Sequence, residues 1–236
     1  MIEQLFKYDS ELEGLGQKIA EMGGIAEKML SDAMDALADF DIQLAQSTIN
    51  SDPRLDLLQR EIEEQAILAI ARRQPMAVDI REIVATIRIS NDLERVGDLA
   101  KNIAKRAIRV AADVRIPRAI VGLKSMHESA AILLKDVLDA YAQRDAARAR
   151  EVWVYDADLD SLEDSVFRDL LTFMMEDPRN ISFCAHLLFC SKNIERIGDH
   201  ATNIAETVVY LVSGESLPSD RPKGRGLLSD LPSILG

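Results

Sequence analysis

The sequence has few aromatic, cysteine and histidine residues, which are common in catalytic, metal-binding and disulfide-rich proteins. Only 5% of its 236 residues are aromatic, two are cysteine and three are histidine. No stretch reaches the roughly 18 uninterrupted apolar residues that a membrane-spanning helix needs, and the first residues lack the charged and then apolar pattern of a secretory signal. Cys184 and Cys190 lie six apart on one predicted helix, on diverging faces, and are predicted to be buried thiols in a reducing compartment. We therefore expect a cytoplasmic protein without direct membrane insertion.

Positive charge is also scarce. The chain has 28 basic and 40 acidic residues, which gives a formal net charge of -12. Nucleic acid and anionic lipid should repel such a chain, so cations or basic protein surfaces are the expected partners. Hydrophobic residues make up 47% of the sequence, which is enough to form the core of one long domain or of two smaller ones.

Proline is rare enough that the intervals between prolines indicate helices. These intervals have a 3.6-residue periodicity and no sustained alternation of period two. The pattern predicts helices over about 8–39, 42–72, 77–112, 118–143, 146–175 and 179–213. Asp41 and Asp145 are predicted N-caps, Gly214 is a predicted C-terminal stop, and Gln74-Pro75 and Asp177-Pro178 are predicted turns.

Pro53 does not fit this simple division. Inside a helix a proline costs about 3 kcal/mol, so we expect either a kink at Pro53 or a new helix capped by Ser51 or Asp52.

The six predicted helices form two sets of three because the sequence repeats. A shift of 104 residues aligns MLSDAMDALADFD (29–41) with LLKDVLDAYAQRD (133–145), and beyond the turns a shift of 101 aligns two E-R-x-G-D-x3-N segments. The prediction is an all-α protein of two tandem, sequence-related three-helix bundles. Their boundaries are predicted at 1–114 and 115–214, and residues 215–236 form a predicted flexible tail.

Each repeat carries one line of oxygen-bearing side chains on a helix. Glu94, Asp98 and Asn102 lie four residues apart, opposite the apolar positions of the same helix, and Glu195, Asp199 and Asn203 repeat the pattern. A solvated acidic face is the simpler interpretation. However, carboxylates four apart repel each other, and this cost occurs twice. Gly97 and Gly198, at matching positions, predict close approach by a neighbouring helix or a ligand.

Folding each helical hairpin about its predicted turn brings four carboxylates to one height. In the first repeat Asp56 faces Glu94 and Asp52 faces Asp98. In the second repeat Asp160 faces Glu195 and Asp156 faces Asp199. Four carboxylates at one level repel one another unless a cation lies between them. Oxygen ligands favour Mg, Mn or Fe, with Zn also compatible, whereas a structural zinc finger would need Cys or His at this spacing.

These residues resemble the PhoU family of bacterial phosphate-signalling regulators. The similarity spans about residues 5–218 and includes ARRQPMAVDIREIVATIRISNDLERVGD. The resemblance implies two three-helix bundles and multinuclear metal clusters, iron or zinc among them, on the acidic pairs. The metal ligands implied in this sequence are Asp52, Asp56, Glu94, Asp98, Asn102, Asp156, Asp160, Glu195, Asp199 and Asn203. Pro53, inside the first acidic pair, and the longer tail depart from the family pattern.

The resemblance also implies a function and partners. It implies a negative regulator of phosphate uptake and of phosphate-starvation genes, which contacts the ATPase subunit of the Pst transporter and a PhoR-type sensor histidine kinase. The protein would lie at the inner membrane only through these partners, and a homodimer is compatible with the family. Arg95 and Arg196, beside the acidic lines, are predicted either to pair with them or to contact a partner or a metal-bound phosphate.

Two other function classes stay open at the level of sequence. One is a carboxylate-bridged metalloenzyme of ferritin-like type, although neither repeat has the inward Glu-x-x-His pattern of those bundles. The other is an acidic scaffold that binds no specific metal. No Ser-His-Asp or Cys-His set and no phosphate-binding Gly-rich loop can be placed, so we expect no enzyme. His200 and His127 are predicted surface groups and His186 a core-edge residue, with His200 alternatively near the metal.

Overall fold

The computed structural model describes residues 2–73, 77–112 and 116–218, and the side chains of residues 12–72, 79–112, 116–154 and 158–218. Six long helices account for almost all of this part of the chain. They are α1 (Ile2–Asp39), α2 (Ile42–Arg73), α3 (Ala77–Val110), α4 (Pro117–Gln143), α5 (Ala146–Glu176) and α6 (Ile181–Ser213), with a short 3-10 helix at Pro178–Asn180. No strand occurs among the described residues. The predicted all-α class is therefore confirmed.

The helix ends are formed by the residues that the sequence indicated. The Asp41 carboxylate accepts hydrogen bonds from the backbone N–H groups of Gln43 and Leu44, and Asp145 caps α5 in the same way. Gly214 ends α6 in the left-handed conformation, with φ of 76°. Asp177 is extended and precedes the turn at Pro178. The predicted Gln74-Pro75 turn lies outside the described residues.

The helix α2 continues without interruption through Pro53. The Ser51 hydroxyl donates to the Ser47 carbonyl one turn earlier, so Ser51 lies within the helix and caps nothing. The expected new helix start at this point is therefore wrong. Leu55 and Leu58, just beyond the proline, are fully buried against the other helices, and their packing outweighs the loss of one backbone hydrogen bond.

The helices pack as two three-helix bundles, α1–α2–α3 and α4–α5–α6. The helices α3 and α6 pack against each other between the bundles, and α1 also contacts α4. One large cluster of buried apolar side chains runs through both bundles, and a second, small cluster consists of Ala66, Ala69 and Ile83. The apolar face predicted for α3 is buried, as expected, and consists of Leu93, Val96, Ala100, Ile103 and Ala107. No described helix is both long enough and apolar enough to cross a membrane.

Gly97 lies where α2 and α3 approach each other closely. A Cβ atom at this position would lie 2.2 Å from Cδ1 of Leu55, a fully buried residue of α2. The close approach predicted from this glycine is confirmed, and the neighbour is a helix. Gly198, the matching residue of α6, is also buried.

Candidate functional site

The carboxylates of interest lie in one cluster on each helical hairpin. The first acidic cluster consists of Asp52 and Asp56 on α2 and of Glu94 and Asp98 on α3. The second acidic cluster lies on α5 and α6; its described members are Asp160, Glu195 and Asp199, and Asp156 of α5 is its fourth predicted member. The side chain of Asp156 lies outside the described residues.

A lysine joins the two helices of the first acidic cluster. The Lys101 ammonium donates to Oδ2 of Asp52 at 2.6 Å and to Oδ1 of Asp98 at 2.5 Å. Asp52 and Asp98 therefore lie at the same height of the hairpin, as the sequence predicted. Asp52 is only 7% exposed. The positive charge between these carboxylates is thus supplied by the chain itself.

Glu94 completes the first acidic cluster next to this lysine bridge. Burial raises the pKa of Glu94 above its usual range, and the nearby charges of Asp98 and Asp56 raise it further, whereas Arg95 opposes the shift. The Arg95 guanidinium lies 3.5 Å from both Glu94 and Asp98, and its side chain is 61% exposed. Arg95 is therefore an ion-pair partner of the cluster. Arg196, at the matching position of α6, is exposed.

The second acidic cluster has more negative charge and a different cation. Glu163 on α5 extends it, and Lys192 lies 2.8 Å from Oε1 of Glu195 and 3.6 Å from Oε2 of Glu163. Burial raises the pKa of Asp199, and the charges of Glu195 and Asp160 raise it further. One buried carboxylate oxygen of this cluster, Oε2 of Glu195, has no hydrogen-bond partner.

The difference between the clusters comes from three pairs of matching positions. Thr202 stands where the first repeat has Lys101, and its hydroxyl donates to the backbone carbonyl of Asp199. In the first repeat Gln59 donates to Asn91, and their counterparts are Glu163 and Lys192. The lysine therefore lies inside the first acidic cluster, whereas in the second it bridges Glu195 and Glu163.

These contacts decide how well each cluster fits a metal ion. Among the residues whose side chains are described, no group of three or more His, Cys, Asp or Glu side chains is arranged to hold one ion. In the first acidic cluster the Lys101 ammonium lies between two of the predicted ligands, so an ion bound there would have to displace it. The second acidic cluster fits a hard cation better, because a buried carboxylate oxygen there has no partner.

The two predicted asparagine ligands lie towards the contact between α3 and α6. The Asn203 amide donates to Oδ1 of Asp92 at 3.4 Å, and Nδ1 of His200 lies 2.8 Å from the same oxygen. Asn102 is exposed and lines a groove between α3 and α6. Asp92 was missed by the sequence analysis because it pairs across the two bundles, where the repeat gives no information.

Lys101, Glu163 and Lys192 were also missed. A comparison of the aligned repeats for charged residues that differ could have found them. For example, the segments ERVGDLAKN and ERIGDHATN differ at Lys101, where the second repeat has Thr202. His127 was expected at the surface, but it is half-buried and its Nε2 atom has no hydrogen-bond partner. That expectation is wrong because Met126 and Ala130 beside it pack into the core and draw α4 inward.

The cysteines have no catalytic character. Both are free and buried, as predicted, and burial raises the pKa of Cys190 to about 12. A thiol with such a pKa stays protonated at neutral pH and is a poor nucleophile.

Comparison with known proteins agrees with this architecture. The PhoU domain model matches the chain twice, over residues 19–107 and 123–208. The phosphate-specific transport system accessory protein PhoU homolog of Rhizobium meliloti (strain 1021) is 53% identical over 230 residues, which cover 97% of this chain and 94% of that protein.

Two solved structures have the same fold. The crystal structure of PhoU from Pseudomonas aeruginosa has a TM-score of 0.85 at 39% identity and covers 88% of this chain and 100% of that chain. The phosphate transport system regulatory protein PhoU from Streptococcus pneumoniae has a TM-score of 0.82 at 27% identity, with coverages of 89% and 99%.

The fold and the paired acidic clusters define a protein of two tandem three-helix bundles, with an acidic surface on each hairpin. The two matches to the family model correspond to these bundles, one to each. The chain belongs to the PhoU family. Members of this family are regulatory accessory proteins and not enzymes, so the expectation that the chain is not an enzyme is confirmed.

Proposed function

We propose that this chain is a regulatory adaptor of phosphate homeostasis. It couples the Pst phosphate transporter to a sensor kinase and restrains phosphate uptake and phosphate-starvation genes when phosphate is plentiful. The observation that carries the proposal is the match of the family model to both repeats, together with a relative of nearly equal length that is named a transport system accessory protein.

The charge of the chain supports docking on proteins. With a net charge of -12 it is repelled by an anionic membrane, so a role at a membrane transporter requires contact with a protein subunit. We propose the ATPase subunit of the transporter and a PhoR-type sensor kinase as the two partners, with a cytoplasmic location. Because such docking would depend on the net negative charge of the chain, both associations should weaken as salt rises.

Expression in a bacterial strain whose own PhoU gene has been deleted tests this role. The chain should restore repression of a phosphate-starvation reporter in high phosphate. Purified protein should capture the ATPase subunit and the cytoplasmic part of the kinase at low salt, and lose them at high salt. If the reporter stays on in complemented cells and neither partner is captured at low salt, the adaptor function is wrong.

Arg95 and Arg196 offer a sharper test of where partners bind. Both are exposed beside the acidic clusters, so a partner that docks there would contact them. We expect Arg196→Glu to reduce capture of at least one partner by about tenfold, because Arg196 would pair there with an acidic group of the partner, and the new carboxylate would repel that group at a cost of more than about one kcal/mol. Arg168→Glu, an exposed change of the same charge on α5, is the control. Equal capture by both variants would place the partners elsewhere.

Light scattering on the same samples decides between a monomer and the homodimer that the family resemblance allows.

We propose further that the second acidic cluster binds a divalent or trivalent metal ion, such as Fe, Zn, Mn or Mg. The support is its excess of carboxylates and the buried, unpartnered Oε2 of Glu195. Asp160, Glu195 and Asp199 would hold the ion, with Asp156 from the same hairpin. A metal there would supply positive charge that Lys192 meets only in part.

Elemental analysis of freshly purified variants tests the metal proposal. We expect Glu195→Ala/Asp199→Ala to lose most of the bound metal and Glu94→Ala/Asp98→Ala to lose little, since Lys101 serves the first acidic cluster. Equal loss in both variants would show that both clusters bind metal despite Lys101. If the wild type carries no more metal than an unrelated acidic helical protein, the chain is a scaffold whose acidic clusters bind no specific metal.

A further inference from the structure

A basic groove lies between α3 and α6, on a protein that is otherwise strongly acidic. It has a volume of about 710 Å³, and Lys105, Arg106 and Arg109 of α3 line one wall. None of the described residues that line it is acidic. The groove is thus a local concentration of three positive charges on a chain of net charge -12.

The central arginine of the groove is held in place by α6. Nη1 of Arg106 lies 2.9 Å from Nδ1 of His186, and its guanidinium carbon lies 4.2 Å above the centre of the Phe189 ring. An arginine has no acceptor, so it donates this hydrogen bond, and the His186 proton must therefore reside on Nε2. Arg106 keeps further N–H donors beyond the one that His186 accepts.

The groove also has a partly exposed aromatic residue. Phe189 is 55% exposed on α6, where a soluble helix would usually place a polar side chain. Asn102 and Asn193 add amide groups to the lining. Cations, amide donors and one aromatic ring together suit a small molecule with an anionic part and an apolar or planar part.

The related groove of the second repeat shows that this charge is not imposed by the fold. There Glu206, Thr207 and Tyr210 stand at the positions of Lys105, Arg106 and Arg109. Leu217, from the segment after α6, also lines that related groove and packs against the core. The related groove is therefore lined by one acidic residue, one cation, Arg88, and the side chain of Leu217, whereas the basic groove is lined by three cations and no acidic residue.

We propose that the basic groove binds a phosphorylated small molecule, whose phosphoryl group contacts Lys105, Arg106 and Arg109 while its remaining part lies against Phe189. A phosphoryl group offers several oxygen acceptors, which matches a cluster of arginine and lysine donors. The volume lies in the range of small-molecule pockets, which leaves room for more than the phosphoryl group alone. This inference rests on the groove's own residues and not on the regulatory function proposed above.

Isothermal titration calorimetry of the full chain with ATP, orthophosphate and adenosine measures the three affinities and tests the proposal. Saturable binding of ATP with weaker binding of orthophosphate identifies a nucleotide-like ligand, and equal binding of the two identifies free phosphate as the recognised group. Either result supports the phosphoryl site. Binding of adenosine as tight as that of ATP, or no binding of ATP and orthophosphate, overturns it.

Variants connect the binding to the groove. Lys105→Gln/Arg109→Gln changes two exposed side chains and leaves the Arg106 contacts intact, and it should weaken ATP binding at least tenfold. Lys124→Gln/Arg168→Gln makes the same charge change on α4 and α5 and should have less than a twofold effect. Phe189→Ala should weaken ATP binding several-fold and leave orthophosphate binding unchanged if the ring contacts the ligand. Equal weakening by the two double variants would show that net charge alone attracts ATP, and the proposal would be wrong.

Discussion

Replacement of Lys101 by methionine is the most direct perturbation of the first acidic cluster. Methionine keeps an unbranched apolar side chain and removes the ammonium group. The Lys101 side chain is 19% exposed, and it contacts Asp52 at 2.6 Å and Asp98 at 2.5 Å. Burial opposes the charged ammonium, but the hydrogen bonds and charges of these two carboxylates outweigh it and raise the pKa of Lys101. The substitution therefore leaves two carboxylates without their shared cation.

The size of the effect follows from the burial of the two partners. Breaking a buried ion pair by removal of one partner costs about 3–5 kcal/mol, because the other charge stays desolvated. Asp52 is 7% exposed, so its contact with Lys101 is close to a fully buried ion pair. The Asp98 side chain is 31% exposed, so water would replace part of its interaction with Lys101. We expect Lys101→Met to lower the free energy of unfolding by about 2–4 kcal/mol. For a chain of this size that corresponds to a decrease in Tm of about 4–16 °C.

Urea unfolding followed by circular dichroism measures this difference. Lys124→Met, at an exposed lysine of α4, is the matched control and should stay within about 0.5 kcal/mol of the wild type. The double variant Lys101→Met/Asp52→Asn should regain part of the loss, because the neutral amide removes the stranded charge. A loss below about 0.5 kcal/mol for Lys101→Met, or no recovery in the double variant, would refute the assigned role of the lysine.

Three further predictions concern other buried positions. Burial lowers the pKa of His127, so the unfolded chain takes up a proton at the usual histidine pKa before the native state does, and stability falls as the pH drops through that interval. We expect His127→Gln to lose less stability than the wild type between pH 7 and pH 5 in urea titrations, and equal losses would contradict this. Burial raises the pKa of Cys190 to about 12, so a thiolate-specific reagent at pH 8 should label this thiol only after unfolding. The free energy of unfolding should also fall as the pH rises from the usual thiol pKa towards 12, because the unfolded chain loses the thiol proton first. Rapid labelling of the native protein would show that the site opens. Gly97→Ala should lower the free energy of unfolding by up to about 2 kcal/mol, because the new Cβ would lie 2.2 Å from Leu55 and the overpacking exceeds the gain in helix propensity. Gly24→Ala is the control and should raise the free energy of unfolding by about 1 kcal/mol, because no atom lies within 4 Å of the new Cβ. Stabilisation by both alanines in thermal unfolding would show that Leu55 moves aside freely.

The helices could be predicted from the sequence because local signals set their ends. Asp41, Asp145 and Gly214 each act through backbone groups two to four residues away, and such short-range chemistry is visible in the sequence. Pro53 is the exception. The local rule predicts a kink or a new helix start, and the new start is wrong because the buried Leu55 and Leu58 hold α2 in place through contacts with helices distant in sequence.

The candidate site was predictable only in part. The repeat and the hairpin geometry brought Asp52 level with Asp98, because helix rise is constant and two antiparallel helices keep a fixed register. The geometry could not show that the Lys101 side chain would turn into that gap, since a lysine has many rotamers and its choice depends on the finished surroundings. The pair between Asp92 and His200 depends on how one bundle packs against the other, and no repeat pattern contains that information.

The differences between the two repeats are more informative about function than their similarities. The shared residues, such as the Glu and Asp of each E-R-x-G-D segment, are consistent with one ancestral hairpin and fix the same backbone twice. The second repeat has Thr202 in place of Lys101, which removes a cation from its acidic cluster, and Glu206 in place of Lys105, which removes one from its groove. Both changes place positive charge at the acidic cluster and the groove of the first repeat, and they leave the matching cluster and groove of the second repeat more acidic. This separation of charge is the pattern expected if the two halves have different ligands, as proposed above: an anion in the basic groove of the first repeat and a cation at the acidic cluster of the second.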